Sequence, residues 1–337
     1  MSVAGLADLS ITNNNNNNLV EIKTCVIVTR QPAHPALISW HDMVRLNIIH
    51  DLFPVTALHT TSSIDHLRSS VIKANPNVFK DSITSTPMCG GEVHIHLLPD
   101  AIPFRISVAR QIPLRFTAPA KAAINNLLEN GIIVRCEEPN DWCSPGFFVP
   151  KSDGKSVRLV TDYTKLNSFM QRPVHPFPSV NDIVQAIPSS ASAFAKFDAV
   201  NGYFQIALDE ESSKLTTFIL PSGRYRYKRI PQGLNASSDE WCRRSDVVIE
   251  GLPWARKLVD YIIVWASNLE ELSLRINEIT SRCERLNIIL SKKKFVIGDE
   301  ITFAGYSISK DGVKPDSTQV KAIKEFPVPI DTTGHKY

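Results

Sequence analysis

The chain has 337 residues, of which 43% are hydrophobic and 21% are charged, and its formal net charge at pH 7 is +3. These values exclude an intrinsically disordered protein, and the length predicts two or more structural units. The sequence has no run of about 18 apolar residues and no basic-then-apolar N-terminus, so we expect a soluble intracellular protein without a membrane partner. Its six cysteines include no C-x-x-C pair, so we expect free thiols.

The N-terminal region has two parts. Residues 1–19 contain the asparagine run Asn13 to Asn18, which predicts a low-complexity, disordered segment. Alternating apolar residues from Val20 to Val28 predict a strand, and the sequence A-L-I-S-W-H-D-M from Ala36 follows. Residues 20–49 are therefore similar to the C-terminal end of a retroviral-type aspartic protease. No Asp-Thr/Ser-Gly triplet precedes them, so we expect a remnant without protease activity.

Residues 50–112 predict a linker with some order. Within it, His94 and His96 are two positions apart and would share one face of a strand, which is the spacing of a metal-ligating pair. Because no third ligand lies nearby in the sequence, two exposed histidines on a strand are the favoured interpretation.

A helix and three strands are predicted next. Thr117 and Pro119 open the helix and Gly131 closes it, and strands follow over 132–135, 146–150 and 157–160. The polar turn at 151–155 joins the last two strands. Its cations and Arg158 would belong either to a solvated hairpin or to a site for a polyanion.

Two acidic positions organise the rest of the chain. Asp198 ends the apolar strand in A-K-F-D-A-V-N-G-Y-F, and Asp260 lies between the β-forming runs of K-L-V-D-Y-I-I-V-W. An isolated aspartate most often punctuates a turn. If the two strands pair, however, the carboxylates converge on one place, and carboxylate oxygens are the ligands that Mg²⁺ prefers.

Other elements surround these strands. A hairpin over 216–230 alternates aromatic residues with cations, which would either keep a sheet edge soluble or contact a nucleic-acid backbone. Ser237 and Glu240 predict a capping box. Apolar residues at spacings of three or four from Leu269 to Leu286 predict an amphipathic helix, and strands follow over 288–290 and 301–308.

Several stretches together carry a family resemblance. They read V-R-L-V-T-D-Y-T-K-L-N from Val157, L-P-S-G-R-Y-R-Y from Leu220, P-Q-G-L-N from Pro231 and F-A-G-Y-S-I-S from Phe303, in addition to the two acidic stretches. From about Ile112 to Pro329 the chain resembles the reverse transcriptase domain of retroviral and gypsy-like long-terminal-repeat retrotransposon Pol polyproteins. One position departs from the family: Tyr261 stands where the family has a second, adjacent Asp, which indicates a degenerate copy.

The resemblance implies an α+β fold, namely the fingers and palm of a right-hand polymerase, with an antiparallel palm sheet backed by helices. The implied boundaries are fingers at 113–178, palm at 179–309 with a fingers hairpin at 212–230, and the start of a truncated thumb at 310–337. The implied reaction is RNA-directed DNA synthesis by two-metal nucleotidyl transfer, with a template-primer of RNA or DNA and deoxynucleoside triphosphates as partners. The sequence does not determine the oligomeric state.

The resemblance also implies roles for individual residues. Asp198 and Asp260 would bind two Mg²⁺ or Mn²⁺ ions. Lys151 and Arg158 would grip the triphosphate, Tyr203 would exclude a 2′-hydroxyl, and Gln232 would lie near the nucleotide sugar. The primer grip would contain Phe303, Gly305 and Tyr306.

The residue at 261 bears on activity. A tyrosine phenol with a pKa of about 10 is neutral at cellular pH, whereas an anionic ligand is expected there. We therefore expect weak or absent polymerase activity, to which the truncated thumb would contribute. A non-catalytic nucleic-acid-binding remnant and a fragment without function remain alternatives.

Overall fold

The computed structural model describes residues 3–15, 18–29, 55–317 and 321, and it describes side chains from residue 63 onward. Contacts divide the chain into two compact units, Met1–Asp65 and His66–Tyr337. No helix in the described ranges is long and apolar enough to cross a membrane. The cysteines among the residues with described side chains are free thiols: Cys89, Cys136, Cys143, Cys242 and Cys283.

The regular elements are numbered here in chain order. The strands are β1 (Val3–Asn15), β2 (Asn18–Thr29), β3 (Phe79–Lys80), β4 (Ile133–Arg135), β5 (Ser144–Pro150), β6 (Val157–Thr161), β7 (Ala193–Asp198), β8 (Phe218–Leu220), β9 (Gly223–Tyr227), β10 (Ala255–Leu258), β11 (Tyr261–Ala266), β12 (Leu290–Ser291), β13 (Val296–Gly298), β14 (Glu300–Phe303), β15 (Tyr306–Ser309) and β16 (Gly312–Pro315). The α-helices are α1 (Val55–Ala74), α2 (Thr117–Glu129), α3 (Thr164–Asn167), α4 (Val180–Gln185), α5 (Glu210–Leu215), α6 (Asn235–Ser245) and α7 (Leu269–Leu286). Short 3-10 helices span Leu114–Phe116, Gly202–Gln205 and Asp246–Val248.

The first unit contains an antiparallel hairpin of β1 and β2, with the register running from Val3 opposite Thr29 to Asn15 opposite Asn18. The structure therefore differs from the predicted disorder of residues 1–19. The ladder to β2 provides hydrogen-bonding partners for the backbone of β1, and asparagine composition alone does not reveal such pairing. Residues 30–49, on which most of the predicted protease remnant falls, lie outside the described residues.

A four-stranded antiparallel sheet forms the centre of the second unit, in the order β10-β11-β7-β13, and is called the central sheet below. Its two middle strands are the apolar runs A-F-A-K-F-D and Y-I-I-V-W-A, with Ile262 opposite Phe197 and Val264 opposite Ala195. All four of these residues are buried. Strands that are covered on both faces need nearly continuous apolar sequence, which explains the composition of β7 and β11.

Helix α7 packs against β11 and β7. Its apolar side chains Leu272, Ile276, Ile279 and Cys283 are fully buried, as the spacing of three and four residues predicts. The Asn268 side chain caps the N-terminus by accepting a hydrogen bond from the Glu271 N–H. The predicted amphipathic helix and its role as the backing of the sheet are confirmed.

The other face of the central sheet packs against a three-stranded antiparallel sheet of β14, β15 and β16. Phe194 and Trp265 from the central sheet share one buried cluster with Ile301, Phe303 and Ile308 from this small sheet. The cluster fixes the β14–β15 hairpin beside the end of β7. Residues 318–320 and 322–337, which hold most of the predicted thumb segment, lie outside the described residues.

A second, five-stranded sheet has the order β4-β9-β8-β5-β6 and is called the outer sheet below. Strands β5 and β6 form the predicted hairpin around the turn at 151–155, and β5 also pairs with β8 in parallel. Helix α2 packs against β6, and Ala120 and Ile124 are its buried residues. The helix and strands predicted between 117 and 161 are therefore present.

The segment between α1 and α2 is more ordered than the linker predicted for residues 50–112. Isolated β-bridges join Val93 to Leu208 and Leu97 to Met170, and Met88 and Ile95 are buried. The segment lacks a regular hydrophobic period because its apolar side chains fill separate gaps in the second unit. Sequence periodicity therefore gives no signal for it.

The predicted capping box at Ser237 and Glu240 is wrong. Helix α6 begins at Asn235, three residues earlier than a cap at Ser237 implies, and has no side-chain cap. The Ser237 hydroxyl donates to the Pro231 carbonyl, and the Glu240 carboxylate accepts from Arg243 and Arg244. Both side chains are committed to other partners, which the local sequence pattern does not reveal.

Candidate active site

The two acidic positions meet at one end of the central sheet. Asp198 is the last residue of β7, and Asp260 lies in the turn between β10 and β11. Asp198 stands opposite Tyr261 in the register, and the Ala199 N–H donates to the Asp260 carbonyl at 2.9 Å. The strand pairing on which the sequence argument depended is therefore present, and the structure brings both aspartates together.

The turn that carries Asp260 is held by two buried side chains. Val259 adopts a left-handed conformation with φ of 51°, which is unusual for a β-branched residue. Its carbonyl accepts hydrogen bonds from Trp241 Nε1 at 2.9 Å and from Lys257 Nζ at 3.1 Å. Lys257 also forms an ion pair with Asp246 at 2.9 Å. Sequence reasoning missed both residues: Trp241 lies in α6, far from this turn in sequence, and the lysine at 257 in β10 matches no recognisable turn pattern.

The Asp260 carboxylate lies in a confined place. Its Oδ1 atom is buried without a hydrogen-bond partner, and a Cβ built on Gly202 would lie only 2.6 Å from it. Burial, followed by the negative charge of Asp198, raises the pKa of Asp260 to about 6. Lys257 and Lys294 oppose this shift. The site thus contains an acidic oxygen that lacks a partner of opposite charge at close range.

The two aspartates carry the oxygen ligands that a divalent cation requires. Mg²⁺ is usually bound by one or two carboxylates together with water and substrate phosphates. Asp198 and Asp260 would supply two carboxylates of this kind, and the Asp260 Oδ1 atom has no hydrogen-bond partner within the fold. Across the described residues there is no group of three or more His, Cys, Asp or Glu that could hold a metal ion. Tyr261 occupies the position at which the family resemblance implies a further carboxylate.

The raised pKa of Asp260 predicts a pH-dependent cost to stability. The unfolded-state pKa of aspartate is about 3.9, so the folded chain binds the proton more tightly than the unfolded chain does. The contribution of Asp260 to the free energy of unfolding should therefore fall as pH rises from about 4 to about 6, and remain lower above that. Asp260→Asn should remove this cost and stabilise the chain at about pH 7.5 by about 1–3 kcal/mol.

Urea denaturation in a chelating buffer, at about pH 4 and about pH 7.5, checks this expectation. The parent and Asp260→Asn should have similar stability at the lower pH and differ at the higher pH. Asp311→Asn, an exposed change outside the site, is the control and should differ from the parent at neither pH. A destabilised Asp260→Asn variant at about pH 7.5 would show that the carboxylate is satisfied in the folded state.

Asp198 has a cationic partner. Lys294 Nζ donates to Asp198 Oδ1 at 3.0 Å and to Oδ2 at 3.1 Å. The three lysines at 292–294 lie in the connection between β12 and β13, and no local sequence pattern links them to Asp198. The structure brings the third of them to the site across 96 positions of sequence.

Tyr203 and Tyr261 flank the two aspartates. Tyr203 lies in the 3-10 helix Gly202–Gln205 and is half-buried, and burial followed by the charge of Asp260 raises its pKa to about 12. Burial, followed by the charge of Asp198, also raises the pKa of Tyr261 above its usual value. Both phenols are therefore neutral at cellular pH, and neither can replace a carboxylate.

The three remaining nucleotide-binding candidates line a separate cleft of about 720 Å³. Lys151 and Arg158 are exposed residues of the β5–β6 hairpin, and Gln232 is exposed in the loop before α6. The structure brings these three together around one cavity. Asp198, Asp260 and Tyr203 are not among the residues that line it. The cleft therefore carries positive charge, and the acidic group lies outside its lining.

The predicted primer-grip residues lie at the turn between β14 and β15, with Phe303 ending β14 and Tyr306 beginning β15. Phe303 is buried and packs edge-to-face on the Tyr261 ring, with centroids 6.5 Å apart. Gly305 has a φ of 86°, which suits the turn, and Tyr306 is partly buried. The β14–β15 hairpin thus directly contacts Tyr261, the residue that differs from the family.

Two other sequence features have structural partners. Arg226 and Lys228 of the cationic hairpin pair with Glu210 at 2.7 and 2.8 Å, and hydrogen bonds from both lower the pKa of Glu210 to about 2. These two cations of the hairpin therefore pair with a carboxylate of the same chain. His94 Nδ1 lies 2.6 Å from Asp209 Oδ2, and no metal-binding group is found among the described residues. These contacts do not support a metal pair at His94 and His96.

The chain is similar to a known protein family and to Pol polyproteins of transposons. Residues 149–308 match the family described as reverse transcriptase (RNA-dependent DNA polymerase). A retrovirus-related Pol polyprotein from transposon 412 of Drosophila melanogaster is 29% identical over 221 residues, covering 63% of this chain and 18% of the relative. The corresponding polyprotein from transposon gypsy of the same fly is 31% identical over 214 residues, covering 61% of this chain and 20% of the relative. The chain thus spans about a fifth of the length of these relatives.

Solved structures show the same fold. A foamy viral protease-reverse transcriptase in complex with RNA/DNA hybrid superposes with a TM-score of 0.70 and 17% identity, covering 98% of this chain and 47% of that one. A prototype foamy virus protease-reverse transcriptase superposes with a TM-score of 0.64 and 18% identity, covering 91% and 42%. At this level of identity the likeness establishes the fold alone. The expected α+β polymerase fold is confirmed.

Proposed function

We propose that the chain carries the nucleotidyl-transfer site of RNA-directed DNA synthesis, because residues 149–308 match the reverse transcriptase family and the chain is similar to the Pol polyproteins of transposons 412 and gypsy. Its partners in this proposal are an RNA or DNA template-primer and deoxynucleoside triphosphates. The observation that carries the proposal is the pairing of β7 with β11, which joins Asp198 and Asp260 at one sheet end. Support for nucleic acid as a partner comes from the foamy viral protease-reverse transcriptase structure, which was solved in complex with RNA/DNA hybrid.

In this proposal Asp198 and Asp260 hold Mg²⁺ or Mn²⁺. A bound divalent cation at such a site supplies charge stabilisation for the attacking and leaving oxygens of the transfer reaction. The chain's own contribution is to orient the two carboxylates. Trp241 and Lys257 fix the turn backbone at Val259, so the Asp260 side chain is positioned before the cation arrives.

The cleft lined by Lys151, Arg158 and Gln232 is the proposed nucleotide-binding region. A triphosphate carries several negative charges, and it is bound well by a point charge together with the planar donors of a guanidinium group. The Lys151 and Arg158 side chains form no ion pair with another described residue, so their charges are available to a ligand. Tyr203 is proposed to restrict the sugar to the deoxy form, and the β14–β15 turn is proposed to hold the primer end.

Tyr261 makes the proposed activity weak. It provides a neutral phenol at the position beside Asp198 where a further anion would complete the site for a second cation. A second candidate function is therefore nucleic-acid binding without catalysis. The specific observation in its favour is the Lys294 ammonium on Asp198, which satisfies that carboxylate without a metal.

A single-nucleotide incorporation assay tests the proposed function. The chain, a primed RNA template, Mg²⁺ or Mn²⁺ and one labelled deoxynucleotide are incubated, and primer extension by the templated base is measured. Slow, template-matched incorporation is expected, and Asp198→Asn should abolish it because the carboxylate is lost. Asp100→Asn, an exposed loop substitution, is the matched control and should retain the parent rate.

Binding of the same template-primer, followed by fluorescence anisotropy, separates the two candidate functions. Electrostatic binding should weaken as salt rises from about 50 to about 200 mM, because contacts with phosphate release counterions. Salt-dependent binding without incorporation by the parent or its variants would favour the non-catalytic function. Absence of binding at low salt would contradict both.

A further inference from the structure

The ion pair between Lys294 and Asp198 is unusual for a site proposed to hold a divalent cation. The ammonium contacts both carboxylate oxygens of Asp198, at 3.0 and 3.1 Å, so it lies where a cation bound to both oxygens would lie. The Asp198 side chain is only 4% exposed, whereas the Lys294 side chain is 63% exposed. The buried Asp198 side chain is therefore fixed in place, whereas the exposed Lys294 side chain can move away from it into solvent.

The backbone around Lys294 is held firmly. Phe295, the next residue, is buried and stacks on Phe197 with ring centroids 4.8 Å apart, and Phe197 directly precedes Asp198. Arg68 of helix α1 donates hydrogen bonds to the carbonyls of Phe295 and Lys292, each at 2.8 Å. These contacts anchor the Lys294 backbone beside the end of β7, while its long side chain retains rotamer freedom.

The Lys294–Asp198 ion pair changes the net charge that a divalent cation meets at the site. Asp198 and Asp260 provide two negative charges, and the Lys294 ammonium cancels one of them. Tyr261 adds no charge. A divalent cation approaching Asp198 therefore meets a carboxylate that is already neutralised, and it is repelled by the same ammonium at short range.

We propose that Lys294 acts as a built-in counter-cation of Asp198, and that it competes with divalent metal ions for this carboxylate. Metal binding then requires the Lys294 side chain to swing into solvent, which its exposure permits. This inference depends on the proposed metal-binding role of Asp198 and Asp260. It adds a residue of this chain that lowers metal affinity independently of the substitution at Tyr261.

Mn²⁺ binding measured by electron paramagnetic resonance, without nucleotide or nucleic acid, tests the proposal. Lys294→Gln should increase Mn²⁺ affinity by about tenfold or more, because the competing charge is lost. Lys293→Gln is the matched control: it removes the same charge from a neighbouring exposed residue that does not contact Asp198. It should change the affinity by less than about threefold, since screened long-range charge is weak. Lys294→Arg, which keeps the charge, should retain the low affinity of the parent.

The possible outcomes distinguish this proposal from the proposed function. A gain with Lys294→Gln that disappears when Asp198→Asn is added supports competition at Asp198. Equal changes for Lys294→Gln and Lys293→Gln would overturn the competition while leaving the metal site in place. Absence of Mn²⁺ binding in the parent and in both glutamine variants would overturn this proposal and the metal site together. Thermal denaturation of each variant verifies that it is folded.

Discussion

Tyr261→Asp should increase the rate of metal-dependent nucleotide incorporation by about 10–100-fold or more. Loss of groups that merely support a metal ligand costs about 10–100-fold in affinity or activity, so restoring a carboxylate that contacts the cation should gain at least as much. Residue 261 stands opposite Asp198 in the β7–β11 register, so a carboxylate there would extend the existing acidic pair. The measurement is single-nucleotide extension of a primed RNA template in Mg²⁺, at saturating deoxynucleotide.

Two control variants separate the charge from the shape of the side chain. Tyr261→Asn removes the ring, including its edge-to-face contact with Phe303, but adds no charge. Tyr261→Phe keeps the ring and removes the hydroxyl. Both should extend primers no faster than the parent. If Tyr261→Asn gains as much as Tyr261→Asp, the ring obstructs the site and the missing charge is not the defect.

Gly202→Ala should disrupt the position of Asp260 and destabilise the fold. The added Cβ would lie 2.6 Å from Asp260 Oδ1 and 2.8 Å from Trp241 Cε2, closer than packed atoms can approach. Trp241 is 2% exposed and bonded to the Val259 carbonyl, so the carboxylate has to move. Overpacking of this kind typically costs about 1–3 kcal/mol. Urea denaturation measures the free energy of unfolding, and Mn²⁺ titration measures the loss of metal affinity.

Gly154→Ala is the comparison variant for this prediction. Gly154 lies in the turn between β5 and β6 with a φ of 65°, and a Cβ there would meet no atom within 4 Å. It should lose stability through backbone strain alone and keep the parent's Mn²⁺ affinity. A Gly202→Ala variant with unchanged stability and metal affinity would show that the space around Asp260 is less confined than described.

Local sequence patterns predicted much of the framework. The spacing of apolar residues predicted α7 from Leu269 to Leu286, because burial of one helix face requires that period. The apolar run ending at Asp198 predicted β7, and the β-forming runs around Asp260 predicted β10 and β11. These patterns are local consequences of burial, and they are legible without knowledge of distant partners.

The sequence was less informative where a side chain has its partner far along the chain. The stripe of cations in β9 was compatible with nucleic-acid contact, but Glu210 of α5 binds Arg226 and Lys228. The capping box predicted at Ser237 does not form, because the Ser237 hydroxyl donates to the Pro231 carbonyl. The Glu240 carboxylate likewise accepts hydrogen bonds from Arg243 and Arg244. In each case several groups can bind the same polar side chain, and the local sequence shows only one of them.

The sequence by itself determined the identity of the acids, the neutral tyrosine beside them and the strands that carry them. Only the tertiary structure decided how those acids are surrounded. Strand pairing places Asp198 beside Asp260, and the packing of α6 places Trp241 against the turn. The stack of Phe295 on Phe197 places Lys294 beside Asp198. The physical reason is that a side chain's charge and shape are properties of the residue. Its dielectric surroundings and its nearest opposite charge are properties of the fold.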